Sequence, residues 1–190
     1  MKYEPLYDLL RQASIITESP LMYFYDYSWQ ICTETGRSTD AYIIFYQVGP
    51  IHHDTHVPGP VAQSSAESEY NEVYITGMAL VNLRMLINEL LNKYSDMVPE
   101  EAFLIIMDSK SAVCISNNGK DTNHARQISR RVKFVRNGEN VKIHKIDWCE
   151  VGLQLADIGT NHVCGNYLNA RMKYIMVRLN KLYRTLVQER

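Results

Sequence analysis

The run Phe103-Leu104-Ile105-Ile106-Met107 closes on Asp108, and no other stretch of the chain limits the fold as strongly. Five apolar residues without a polar break are what a strand needs when both of its faces are covered. A sheet with helices on either side is therefore expected. A second acid lies in Met22-Tyr23-Phe24-Tyr25-Asp26-Tyr27-Ser28-Trp29, a run of strong β preference in which a buried carboxylate is costly unless something pairs with it.

The pattern between and around these strands supplies the rest. Leu21 to Ser28 reads as strand one, Thr39 to Val48 as strand two, and Ile51 to Gln63 as a weak edge strand, where Gly49-Pro50 and Pro58-Gly59-Pro60 are tolerated. A long helix from Ala66 to about Tyr94 follows. Its start has capping-box spacing in Ser64-Ser65-Ala66-Glu67, and Val73, Leu80, Leu83, Ile87 and Leu91 recur on one face. Tyr70, Tyr74, Met78, Val81 and Met85 form a second apolar row, so spacing leaves open whether Glu67 or Glu69 points inward. Lys93 to Glu101 reads as a loop, Ser109 to Asn117 as a short helix that Ser109 or Ser111 caps, and His124 to Arg136 as a basic helix. Asn137-Gly138 reads as the turn into a last strand, Val141 to Trp148, and Leu153 to Ile158 as the opening of another helix.

This order predicts an α/β domain with a mixed five-stranded sheet, a three-stranded antiparallel meander joined to parallel strands and flanked by helices. A strand, crossover helix and parallel neighbour form a right-handed unit, which brings Asp26 and Asp108 together. We place the domain at residues 21–164. Residues 1–20, with a short amphipathic helix from Glu4 to Ile16, form an extension, and residues 165–190 carry a basic amphipathic helix from Leu168 to Gln188.

Asp26, Glu69, Asp108 and Asp157 each end a strand or open a helix. Gathered carboxylates repel one another unless a cation compensates. Oxygen-only donors point to a hard divalent ion, Mg²⁺ or Mn²⁺, rather than zinc.

At 190 residues and 46% hydrophobic the chain can bury a substantial core. No apolar run reaches the roughly 20 residues of a membrane span and the start lacks a secretory pattern, so an intracellular, unsecreted protein is expected. Cys32, Cys114, Cys149 and Cys164 are irregularly spaced, which indicates buried thiols rather than zinc ligands or a disulfide framework. Residues 1–119 hold 6 basic and 15 acidic side chains, whereas residues 120–190 hold 14 and 6. That split fits a cation site in the first part and a polyanion-facing surface in the second, or two ordinary solvated faces. The histidines of His52-His53-Asp54-Thr55-His56 look like a metal site, but they lie in the hairpin region away from the acids and lack a helical scaffold, so they read as a polar loop.

Several strings resemble the ribonuclease H domain of copia-type LTR retrotransposon polyproteins. Gly36-Arg37-Ser38-Thr39-Asp40-Ala41-Tyr42-Ile43-Ile44-Phe45 is similar to that family's R-K-S-T-S-G-Y-V-F, and Gln63-Ser64-Ser65-Ala66-Glu67-Ser68-Glu69-Tyr70 to its L-S-S-T-E-A-E-Y. Met107-Asp108-Ser109-Lys110-Ser111-Ala112-Val113 resembles C-D-N-Q-S-A-I, and Gln154-Leu155-Ala156-Asp157-Ile158 matches Q-L-A-D-I. Thr122-Asn123-His124 and Arg130-Arg131-Val132-Lys133-Phe134-Val135-Arg136 are similar to T-K-H and R-Y-H-F-V-R. The likeness runs from about Leu21 to Thr160. It departs at Tyr25-Asp26-Tyr27-Ser28-Trp29, where the family shows S-D-A-D-W, and after Thr160, where K-P-L is absent.

The resemblance implies a ribonuclease H-like fold and hydrolysis of the RNA strand of an RNA/DNA hybrid. Asp26, Glu69, Asp108 and Asp157 would be its catalytic acids and would hold two Mg²⁺ ions, with Mn²⁺ able to substitute. Glu67 is the reserve for Glu69, and His124 is the histidine that would assist product release. Arg126, Arg130, Lys133 and, on an adjacent row, Arg131 recur at three- and four-residue steps along one helix, which would either meet backbone phosphates without reading sequence or form a solvated face. A reverse transcriptase domain of the same polyprotein is the expected partner, and the chain reads as an excised domain or as a product that lost its polymerase. The competing readings are a catalytically inactive module that binds nucleic acid or protein as a spacer, and a DNA nuclease or integrase on the same sheet, against which the second place of the glutamate in the order of acids counts.

Overall fold

The computed structural model describes residues 8–11, 19, 21–28, 37–46, 49–57, 65–91, 101–117, 129–161 and 165–175. Five strands form one sheet: β1 (Leu21–Ser28), β2 (Thr39–Tyr46), β3 (Gly49–His56), β4 (Phe103–Met107) and β5 (His144–Trp148). Their order is β3-β2-β1-β4-β5. The first three pair antiparallel, and β1, β4 and β5 run parallel. This is the mixed sheet that the order of elements predicts.

The helices are α1 (Ser65–Leu91), α2 (Lys110–Asn117), α3 (Ser129–Asn140), α4 (Asp157–Thr160) and α5 (Gly165–Ile175). Strand alternation divides the interior in two. Tyr23, Tyr25, Ile105, Met107 and Ile146 face Val73 and Leu80 of α1, Ala112 of α2 and Val135 of α3. From the other face Met22, Phe24, Leu104 and Ile106 meet Leu155 and Ala156, Tyr174 of α5, and Leu9 and Leu10 of a helical turn at residues 8–11. Full burial of a leucine is worth roughly 1.5–3 kcal/mol, so the segments before β1 and after α4 both contribute to the second core.

Val73 and Leu80 are buried while Met78 and Met85 are exposed, which decides between the two apolar rows of α1. The edge strand starts earlier than the sequence indicates. Pro50 pairs with Phe45 beside a register shift at Ile44/Phe45, where a strand tolerates proline. The stretch His52 to His56 lies in β3, as the edge-strand reading has it, and does not form a polar loop: Tyr42 and His52 lie 3.0 Å apart through Oη and Nε2, and His56 Nε2 lies 3.2 Å from the buried carboxylate of Asp40. Ser109 caps α2, accepting the backbone N–H of Ala112 at 3.2 Å. Of the helix expected from Leu168 onward, the described part already begins at Gly165 and runs to Ile175. Most of the expected first helix, positions 93–100 of the expected loop and positions 124–128 of the expected basic helix lie outside the described residues.

The largest correction concerns Asn137-Gly138, which is not a turn. Helix α3 continues through both to Asn140, and the chain reverses at Lys142, a non-glycine residue with φ of 57°. Two contacts carry the helix past the expected stop. Glu139 accepts the backbone N–H of Ile146 at 3.2 Å, and the buried His144 ring lies directly against Gly138, where an added Cβ would stand 2.2 Å from its Cε1. The ring also approaches Gly77 of α1, so it packs between two helices through positions that lack a side chain. Its Nε2 lies 3.1 Å from the Val135 carbonyl, whereas Nδ1 is buried without a hydrogen-bond partner.

Glycine to alanine inside a helix ordinarily stabilises by roughly 0.5–1 kcal/mol. Gly138→Ala is expected to reverse that sign and destabilise by about 1–3 kcal/mol, because the methyl group overpacks a closed site; denaturant unfolding of the two proteins measures it. Burial lowers the pKa of His144, with the bond to Val135 acting in the opposite direction. The unfolded chain takes up the proton near the ordinary value, about 6.5, so stability should fall as pH drops below that value and be level above it. Melting curves across pH 5–8 should show this acid limb reduced in His144→Leu.

Candidate metal centre

Register brings the first two acids together. Phe24 of β1 lies opposite Ile106 of β4, and Asp26 and Asp108 are each two residues further along in the same direction. Both therefore fall on the side of the sheet that carries α4, where Asp157 is the first helical residue. Single carboxylate oxygens of Asp26, Asp108 and Asp157 all lie within 4.8 Å of one another. Asp26 and Asp157 are buried, and Asp108 is half-buried, so the cluster opens past the end of β4.

Three side chains that sequence reasoning did not single out build this geometry. Gln154 is fully buried between the strands and the approach to α4. Its Nε2 donates to the Tyr25 carbonyl at 2.8 Å and lies 3.5 Å from that of Ile106, while Oε1 accepts the N–H of Ala156 at 3.3 Å. The Thr160 hydroxyl donates to Oδ2 of Asp26, which ties the far end of α4 to β1. Arg171, buried on α5, donates from Nε to the carbonyl of Gln154 and from one Nη to those of Val151 and Gly152, and that nitrogen lies 3.8 Å from Oδ2 of Asp157. The residue Gln154 was legible only within the Q-L-A-D-I string. Nothing in the local pattern marks Thr160 or Arg171.

Two further contacts frame Asp108. Trp148 Nε1 donates to its carbonyl at 2.8 Å, and Lys110 Nζ stands 4.3 Å above the Trp148 ring centroid. The thiol of Cys149 registers the field of the cluster. It is pushed up to about 12, first by burial and then by Asp108, Asp157 and Asp26, with Arg171 opposing them. Such a thiol is an inert core group and not a nucleophile or ligand.

The donors fit a hard divalent cation. They are carboxylate oxygens from three separate elements, their mutual repulsion calls for a cation, and one guanidinium is too little charge to neutralise three acids. Glu67 and Glu69 stand in α1, whose body packs on the opposite face of the sheet, and their side chains lie outside the described residues. Arg130, Arg131 and Lys133 are exposed along α3, with the Arg131 guanidinium 5.9 Å from the ring of Tyr74. Arg126 and His124 lie outside the described residues.

Mixed sheet, strand order and flanking helices together define the ribonuclease H-like fold, and solved structures with this architecture resemble the chain. Ribonuclease H1 from the halophilic archaeon Halobacterium salinarum is 14% identical, with a TM-score of 0.50 over 79% of this chain and 98% of that one. LC11-RNase H1, isolated from compost and solved in complex with an RNA/DNA hybrid, is 13% identical, with a TM-score of 0.50 over 78% and 99%. No protein-family model and no curated protein matches the chain. Among the described residues no helix is long and apolar enough to cross a membrane.

Removing the Thr160 hydroxyl should loosen Asp26 without emptying the core. Thr160→Val is expected to fold and to bind Mn²⁺ about 10-fold more weakly than the parent, the lower end of what the loss of a ligand's hydrogen-bond partner costs; calorimetric titration provides the comparison.

Proposed function

We propose that the chain is a metal-dependent ribonuclease H that hydrolyses the RNA strand of RNA/DNA hybrids. The observation that carries this reading is the convergence of Asp26, Asp108 and Asp157 on the α4 side of the sheet. The domain is residues 21–164, with Leu9, Leu10 and Tyr174 from its two flanking segments completing the second core. Glu69 is the fourth acid, as the likeness of residues 63–70 to the copia-type string L-S-S-T-E-A-E-Y implies. Glu67, three residues after Ser64, has the spacing of a capping glutamate.

Two Mg²⁺ ions at this centre would supply a nucleophilic water near neutral pH and charge stabilisation of the departing 3′ oxygen. The protein's own part is positional. Asp26 and Asp157 are anchored from behind by Thr160 and Arg171, and Asp108 is anchored through its carbonyl by Trp148. Held in this way, the three carboxylates need little rearrangement to receive a ligand, which is the economy of a preorganised site. The exposed Arg130, Arg131 and Lys133, with Arg126, offer phosphate contacts that hold a duplex irrespective of sequence, so binding weakens steeply with salt. Discrimination for RNA would rest on 2′-hydroxyl contacts across the minor groove. The LC11 enzyme was solved with such a hybrid. The strings shared with copia-type polyproteins support descent from a retrotransposon of that type, with a reverse transcriptase domain as the ancestral partner.

Purified protein should cut the RNA strand of an end-labelled hybrid with Mg²⁺ or Mn²⁺, leaving 5′-phosphate and 3′-hydroxyl ends. Asp108→Asn and Glu69→Gln should each lose at least 100-fold in rate, about 2.7 kcal/mol in barrier, whereas Glu67→Gln should stay within about 3-fold, near 0.7 kcal/mol. A dead Glu67→Gln with an active Glu69→Gln would move the metal ligand to the other glutamate. Hybrid binding without cleavage in either metal would identify the chain as a binding spacer.

A further inference from the structure

We propose that Arg171 is a positioning residue for the metal centre, so that seating of α5 is a condition for cation binding; this rests on the metal centre proposed above. The guanidinium is buried, and a buried cation is costly unless its donors and its charge are both matched. Three of its contacts go to backbone: the carbonyls of Val151, Gly152 and Gln154, at 3.1, 2.7 and 3.1 Å. All three belong to the connection between β5 and α4, a short 3₁₀ turn at Val151–Leu153 followed by irregular chain. Carbonyls in such a stretch have few partners of their own, and one planar fork gathers them.

The fourth contact gives the arrangement its function. The same nitrogen that holds Val151 and Gly152 lies 3.8 Å from Oδ2 of Asp157. Arg171 therefore sets both the path of the chain leading to Asp157 and the charge facing its carboxylate. Gln154 works from the opposite direction, fastening this connection to the carbonyl of Tyr25 in β1. Between them the two residues leave Asp157 little freedom to turn away from Asp26 and Asp108. A lysine keeps the charge but cannot reproduce a fork that reaches three carbonyls. Helix α5 is held in turn by Tyr174, which belongs to the second core. Removing α5 would thus take away the brace behind one metal ligand.

The test uses the full chain, with Mn²⁺ as probe and circular dichroism as the check of folding. Arg171→Lys and Arg171→Met are expected to raise the Kd for Mn²⁺ by 10- to 100-fold. In Asp157→Asn, further removal of Arg171 should change the Kd by less than about 2-fold, because the residue acts through Asp157. A folded Arg171→Lys that binds Mn²⁺ as tightly as the parent overturns the inference, and so does a full additional loss in the double variant. Arg171→Lys, closest in length and charge, carries the comparison if Arg171→Met does not fold. A parent chain that takes up no Mn²⁺ overturns the metal centre itself, an outcome distinct from either of these.

Discussion

Mutual repulsion among Asp26, Asp108 and Asp157 is the constraint around which the rest of the molecule is arranged. Oxygens within 4.8 Å of one another, two of the three residues buried, would spring apart in a flexible chain. Parallel pairing of β1 with β4 sets two of them at one level, and the hydrogen bonds of Gln154, Thr160 and Arg171 hold the third against them. The sheet is thus more than a scaffold with a site at its edge. Its register is the first element of the site.

This arrangement uses the two faces of the sheet differently. The face under α1, α2 and α3 is a broad apolar core in which tyrosines line one row of β1 and helices lie on it. The opposite face holds a core assembled from distant pieces, Leu9 and Leu10 at one end of the chain and Tyr174 near the other. The acids open from this second face, where packing and electrostatics meet in Arg171 and in the raised thiol of Cys149.

What could be read from sequence followed how local the signal was. Strand β1 is recovered to the residue because an aromatic run ends at a polar break, and β4 because five apolar residues precede an acid. The pairing of Asp26 with Asp108 follows from topology alone. Asn137-Gly138 misled because turn propensity is weak beside a specific contact: a buried histidine demanded glycine there inside a helix. The segment from His52 to His56 could be read both as edge strand and as polar loop, and the strand holds because most of an exposed edge strand needs no apolar alternation to keep its pairing. Thr160 and Arg171 were invisible for another reason. A hydroxyl 134 residues from its acceptor, and an arginine on a helix that looks merely amphipathic, acquire meaning only once the chain has closed.

Gly159 shows how tightly the remaining tolerances are drawn. A Cβ there would stand 2.5 Å from that of Ala41 and 2.7 Å from the Thr55 hydroxyl, so the four-residue helix bearing Asp157 rests flush on β2 and β3. Any larger residue would lift that helix and swing its carboxylate outward while leaving every ligand in place by name. Loss of a centre of this kind can therefore arise by a single change in shape two residues away, and a survey that tracks only the acids would count such a chain as intact.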